Sequence, residues 1–371
     1  MDKEKTVKKK EWTAKRFLVG ILIVQGVILV TVAILTIILD PFFHYHAPLD
    51  GFFYKLSDQR HQNNGITRHF DYDAVITGTS MVENFRASEF SDLFGTRTIK
   101  VPYPGATFKE VNDNLDVAFA THDEIRYVLR GLDYSHLVED AQAIRTDMGE
   151  YPSYLYDDNP FNDVKYFYNR TMLSVYLAPM LRGYLSGTAG GVTDFDTYGS
   201  SAGDEYSAAV TLGDRESFQV DRAENSRLTE EEKVMLLENI RQNVTRTALD
   251  HPETEFLIFF TPYSAAWYGA LLEKGGFGSQ FEAERIAAQE MLACPNIRLF
   301  SFAAEPEITM DLSHYKDFGH YSPEISSLLL ERIAAGENEL TPENLDACLT
   351  AEEKLYRELD YDALIRQKNT P

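Results

Sequence analysis

Residues 17–39 carry no charge over 23 positions, and only Gln25, Thr31 and Thr36 interrupt the run with polarity. At 1.5 Å per residue such a run crosses a ~30 Å hydrocarbon core, so it predicts one membrane-spanning helix. Lys3, Lys5, Lys8, Lys9, Lys10, Lys15 and Arg16 precede it against Asp2, Glu4 and Glu11. That excess predicts a cytoplasmic tail at 1–16, with the bulk of the chain outside the cytoplasm of a single-pass cell-membrane protein. A cleaved signal peptide is the rival, but it calls for an apolar run of about 7–15 residues and a small-x-small site. No such site precedes Asp40-Pro41. Phe42, Phe43, Tyr45, Phe52, Phe53 and Tyr54 follow in a connector, 40–72, either as an interfacial aromatic belt or as the first core contacts.

From Asp73 onward short β-rich runs alternate with helical periodicity. Strands are expected at 74–77, 98–101, 126–132, 255–260 and 297–300. Between them, 107–120 places Val111, Leu115 and Ala118 on one helical face, and 229–249 opens through Glu230, Glu231 and Glu232. This alternation predicts an α/β domain over 73–335, a doubly wound and mainly parallel sheet of five strands. The stretch 138–225 breaks the pattern with turn signals such as Asp157-Asp158-Asn159-Pro160, and reads as an irregular and helical insertion. Within it, 172–181 suggests a small helix lidding the sheet edge and 186–214 a flexible Gly/Ser/Asp loop. Residues 336–371 read as a peripheral appendage, helical over 341–367.

Composition narrows the partners. A formal charge of -23 concentrates on the exported part once the basic tail is set aside, which argues against nucleic acid. Anionic polymers would need a local basic patch, for which Lys109, Arg126 and Arg130 are the candidates. Cys294 and Cys348 either pair or stay as thiols, and no C-x-x-C spacing indicates zinc. His44 and His46 lack a third ligand, so no metal is expected, and no cofactor motif occurs. Two sequons, Asn169-Arg170-Thr171 and Asn243-Val244-Thr245, are read as chance.

Chemistry is best sought beyond the carboxyl ends of parallel strands. Ser80 stands there, closing Asp73-Ala74-Val75-Ile76-Thr77-Gly78-Thr79-Ser80. With Glu83 three residues on, it also fits a helix capping box. Near the other end, Asp317-Phe318-Gly319-His320 is followed by Ser322 and Pro323, an N-cap and first helical position that put His320 in the preceding loop. Asp311 and His314 have identical spacing six residues earlier, and only the direct abutment on a helix favours the later pair.

Gly78-Thr79-Ser80 resembles the first block of the SGNH/GDSL hydrolases, and Asp317-x-x-His320 their last, over about 71–137 and 229–335. The resemblance implies a flavodoxin-like fold in which Ser80 is nucleophile, His320 general base and Asp317 its orienting partner. It also implies that Gly105, in Tyr103-Pro104-Gly105-Ala106-Thr107, joins Ser80 in lending backbone N–H groups to an oxyanion hole. Gly131-Leu132-Asp133 falls where the family has an asparagine donor. An ionised Asp133 has no donor to offer, so either Asn84 or Asn112 substitutes, or Asp133 serves structure and the enzyme is slow. Thr79 stands where the family has an aspartate outside the triad. Membrane-anchored relatives of this type include D-alanyl-teichoic acid transfer proteins and wall-polysaccharide O-acetylation proteins. By that analogy the expected activity is an extracytoplasmic esterase or O-acyltransferase acting on an envelope polymer or glycan, with a membrane-bound O-acyltransferase as partner. The alternative is a non-catalytic binding or scaffolding protein in envelope assembly.

Overall fold

A strand can bury every residue only when both faces of its sheet are covered. Ala74–Gly78 (β1) does so at all five positions, and Thr98–Pro102 (β2), Tyr127–Leu132 (β3) and Glu255–Phe260 (β4) at all but the first. In the computed structural model, which describes residues 14–147, 151–157 and 159–368, these join Ile297–Ser301 (β5) and Glu339–Leu340 (β6). The order is β2-β1-β3-β4-β5-β6, with every neighbouring pair parallel except β5 with β6. The chain is therefore mixed α/β. It departs from the expected five strands because the segment after the last core helix turns back and pairs Leu340 with Leu299. A separate two-stranded parallel ladder joins Phe53–Tyr54 to Gly191–Val192.

The helices used below are Ala14–Leu39 (α1), Gln59–His69 (α2), Ala87–Phe94 (α3), Phe108–Thr121 (α4), Glu230–Ile240 (α5), Ala265–Lys274 (α6), Phe277–Leu292 (α7), Pro323–Ala335 (α8), Leu345–Glu358 (α9) and Tyr361–Gln367 (α10). Two of them start from complete capping boxes, Thr107 with Glu110 and Thr229 with Glu232. Helix α5 runs on through a wider turn, Arg241–Thr245, into Arg246–Asp250. Helix α3 packs against α8, while α4, α7 and the α5 continuation form a second group. Strand β1 lies between β2 and β3, so the chain goes outward to β2 and returns to β3. That reversal opens a crevice beyond Gly78 and Leu132.

Helix α1 is long and apolar enough to cross a membrane, and only Thr36 and Leu39 are buried in it. Residues 1–13, which hold most of the basic tail, lie outside the described residues, as do 148–150, Asp158 and 369–371. The connector after α1 is core rather than a belt at Phe42, Phe43 and Tyr54, all nearly inaccessible, although Phe53 is exposed. Asp40 fixes the exit from the helix. Its carboxylate accepts the amides of His44, Tyr45 and His46 and the hydroxyl of Tyr166.

The described residues of 138–225 give no strand to the main sheet, yet they are more than a loop. Tyr166, Met172 and Tyr198 are fully buried, and the Tyr198 hydroxyl donates to Asn63 Oδ1 at 2.6 Å. The expected lid helix winds as Met172–Leu177 and Ala178–Leu185 and packs on the connector, not on the sheet edge, with Tyr176 bonded to Ser57. Edge strand β2 is covered by α2 instead, whose Asn63 amide donates to Pro102 O at 2.7 Å. In 186–214, Asp194 closes a turn by accepting the Thr197 amide, Asp196 accepts the amide and hydroxyl of Ser88 at the start of α3, and Ala208–Leu212 is helical. The C-terminal helices are also integral. Tyr356 of α9 stacks on Tyr268 of α6 with centroids 3.6 Å apart, and Glu352 accepts the Tyr268 hydroxyl. Cys294 and Cys348 are both free.

Gly65 sets how closely α2 approaches the connector. A Cβ there would overlap the Phe42 carbonyl oxygen and lie 2.5 Å from that of Phe43. In an unobstructed helix Gly→Ala gains about 1 kcal/mol. Gly65→Ala should instead lose about 1–3 kcal/mol by overpacking. Gly183→Ala, whose nearest neighbour is 3.5 Å away, serves as the control and should not lose stability. Thermal unfolding of the detergent-solubilised protein measures both, and a Gly65→Ala chain as stable as the parent would contradict this packing.

Candidate active site

The turn after β1 depends on Gly78, whose φ of +148° and close approach to Gly131 O and Val82 exclude a side chain without strain. Thr79 then caps a single tight turn, Ser80–Val82, by accepting the Met81 amide. The cap is therefore Thr79, and Ser80 is released from the capping-box role open to it in the sequence. Glu83 turns away to accept the Gln59 amide at 3.1 Å.

The partner loop precedes α8 and is pinned on several sides. Lys316 N donates to His320 O and Ser322 N to His314 O, with Tyr315 and Tyr321 bridged antiparallel. Tyr315 OH reaches Pro262 O, Tyr321 OH reaches Met81 O, and Phe318 O accepts both the amide and hydroxyl of Ser264. The loop thus presents His320 to Ser80. Ser80 Oγ lies 2.7 Å from His320 Nε2, and His320 Nδ1 lies 2.7 Å from Asp317 Oδ2. Asp317 Oδ1 is fixed in turn by the amides of Gly319 and His320.

The bond to Asp317 raises the His320 pKa above its ordinary value, with partial burial opposing it. Burial pulls the Asp317 carboxyl upward, but the bond and charge of His320 and the two loop amides outweigh it and leave that carboxyl low. An ionised carboxylate, an imidazole and a hydroxyl in this line can move a proton off the serine oxygen. Burial also pushes Glu83, close behind the turn, up to about 7.

Ser80, Gly105, Asp133, Asp317 and His320 line one cavity of about 720 Å³. Gly105 sits at φ +61° and its carbonyl accepts Arg145 Nη1 at 2.8 Å. Asp133 is nearly inaccessible and accepts the hydroxyls of Thr79, Thr261 and Tyr263. Burial raises its pKa against those bonds. The asparagines offered as replacements stand elsewhere. Asn84 donates to Tyr206 and to the Tyr321 carbonyl and accepts from Ser200 and Ser201, which fastens the insertion beside the site. Asn112, on α4, bonds Thr247 and Asp116. His314 forms a loose pair with Asp311 at 3.7 Å, and Asp311 lines a different cavity.

The expected basic patch is not formed by Lys109, Arg126 or Arg130. Lys109 pairs with Asp113, Arg126 with Asp73, and Arg130 is buried against the carbonyls of Phe108 and Asn243. The cation lining the cavity is Arg145, which also grips Asp147 with two nitrogens. It comes from the insertion, where spacing gave no signal. Tyr263, also lining the cavity, follows β4 at a strand end and was findable by the same rule that picked out Ser80. No protein family's sequence profile matches this chain, and no curated sequence or solved structure matches it significantly.

The coupling of His320 to Asp317 has a measurable sign. NMR titration should give His320 a pKa above the usual ~6.5. Asp317→Asn should lower it, and Asp311→Asn should leave it unchanged. Equal values in the parent and Asp317→Asn would show that the 2.7 Å contact carries no coupling.

Proposed function

We infer that this chain is a serine esterase or O-acyltransferase of SGNH/GDSL type, held to the membrane by α1 with its domain outside the cytoplasm. The observation that carries the reading is the continuous line Ser80–His320–Asp317, two contacts of 2.7 Å, at the strand-order reversal and inside the cavity of about 720 Å³. The five parallel strands in the order β2-β1-β3-β4-β5 suit the flavodoxin-like layout of that superfamily.

In this reading Ser80 Oγ attacks an ester carbonyl while His320 Nε2 takes its proton, and Asp317 keeps the other nitrogen protonated and facing inward. The proton then passes from His320 to the leaving alkoxide, giving an acyl-serine. Water or an acceptor hydroxyl, deprotonated by the same imidazole, releases the acyl group. The backbone N–H groups of Ser80 and Gly105 are assigned to the oxyanion. Asp133 is assigned no donor role, because it already gathers three hydroxyls. A site short of one donor runs about 10²–10³ slower than a complete one. The hydroxyls, the histidines and the arginine that line the cavity suit a glycan or polymer ester, and a membrane-bound acyltransferase is the fitting partner for the transfer direction.

Ester hydrolysis by the full-length protein is the test. Ser80→Ala and His320→Ala should each lower kcat/KM by about 10⁴-fold or more, and Asp317→Ala by less. In the parent the rate should rise with pH through the His320 pKa, because only neutral imidazole accepts the proton. Activity that survives Ser80→Ala would remove the nucleophile from this reading.

A further inference from the structure

We propose that residues 161–185 are immersed in the bilayer leaflet that surrounds the C-terminal half of α1, so that the insertion is a second membrane-seated element beside the anchor. Phe161 and Leu185 are 90% and 83% exposed, and Val164, Val175 and Tyr184 are exposed with them. Large apolar side chains so fully presented mark an interaction surface. Its occupant is indicated by what already touches it. The short helix Val164–Phe167 packs against α1, and the Tyr168 hydroxyl donates to Leu29 O at 3.0 Å. Leu29 lies ten residues before the end of α1, about 15 Å along the axis. A span of about 20 residues from Phe17 ends near Thr36, which sets Leu29 about 10 Å inside the hydrocarbon. A tyrosine bonded at that depth takes its neighbours into the leaflet.

Charge agrees. The chain holds 58 acidic and 35 basic residues, but 161–185 holds Lys165, Arg170 and Arg182 against Asp163 alone. That aspartate is buried and accepts the Tyr45 hydroxyl. Basic residues among exposed aliphatic and aromatic ones are the composition of a surface facing anionic headgroups. The seat is also rigid. Tyr166 is tied to Asp40 at the end of α1, and Tyr184 stacks on Phe52 at 4.4 Å. A mostly apolar cavity of about 280 Å³, walled by Pro41, Val175 and Met180, carries the surface inward beside the anchor. The inference is independent of whether Ser80 is a nucleophile.

The test places tryptophan in the full chain, reconstituted in nanodiscs of phosphatidylcholine and phosphatidylglycerol with or without bromine on the acyl chains. Phe161→Trp and Leu185→Trp are compared with Leu249→Trp, an exposed site on the α5 continuation. Emission from Trp12 and Trp267 is subtracted using the parent chain. Brominated lipid should remove most of the emission added at 161 and 185 and little of that added at 249. Equal quenching at the three sites in a monomeric protein overturns the proposal. Unquenched emission with a dimeric mass assigns the surface to a second copy and overturns it equally.

Discussion

The 2.7 Å contact between Ser80 Oγ and His320 Nε2 joins side chains 240 residues apart, and most of the architecture bears on closing that distance. A parallel sheet covered on both faces leaves its strand ends as the only place where irregular backbone can meet side chains from distant sequence. Ser80 reaches that place on a turn that Gly78 permits. His320 reaches it on a loop whose carbonyls and hydroxyls are already spent on Ser264, Pro262 and Met81. Neither side chain fills the core, so their position is held by the hydrogen bonds of neighbours.

The same economy governs the buried polar groups around the site. Lys100 is inaccessible, with burial lowering its pKa to about 8, and its ammonium donates to the carbonyls of Glu83, Phe85 and Asp196. It thereby ties the turn behind Ser80 to the insertion. Asn84 does the same through Ser200, Ser201 and the Tyr321 carbonyl. A buried polar group left without such partners costs about 1–3 kcal/mol, so these residues specify how the insertion seats on the sheet. Through Asp40 and Tyr166 the insertion is bound in turn to the end of α1, which makes α1, insertion and site one connected body.

Much of this was legible in the chain because it rests on local pattern. The β-rich runs located the five parallel strands to within a residue at their ends, and the acidic start of α5 and the Ser322-Pro323 start of α8 sit where propensity puts them. What escaped was long-range. The two-residue β6 has no periodicity to read, and α9 looked peripheral because the Tyr268–Tyr356 stack depends on a partner 88 positions away. The insertion looked loose because its turns are polar, while its burial is carried by scattered tyrosines. Asn84 and Asn112 were plausible donors by residue type alone, whereas their partners are set by tertiary packing. The two histidines of identical spacing were separated in the sequence only by abutment on a helix, and their contacts, His320 on Ser80 and His314 on Asp311, are set by tertiary packing.

The central claim is that Ser80 is an activated nucleophile, and covalent labelling addresses it most directly. The full-length protein would be treated with a fluorophosphonate near neutral pH and the adduct located by peptide mass spectrometry. The account predicts one phosphonylated residue, Ser80, with labelling abolished by His320→Ala and retained in His314→Ala. An unlabelled Ser80 in folded protein, or labelling that persists unchanged in His320→Ala, would contradict it.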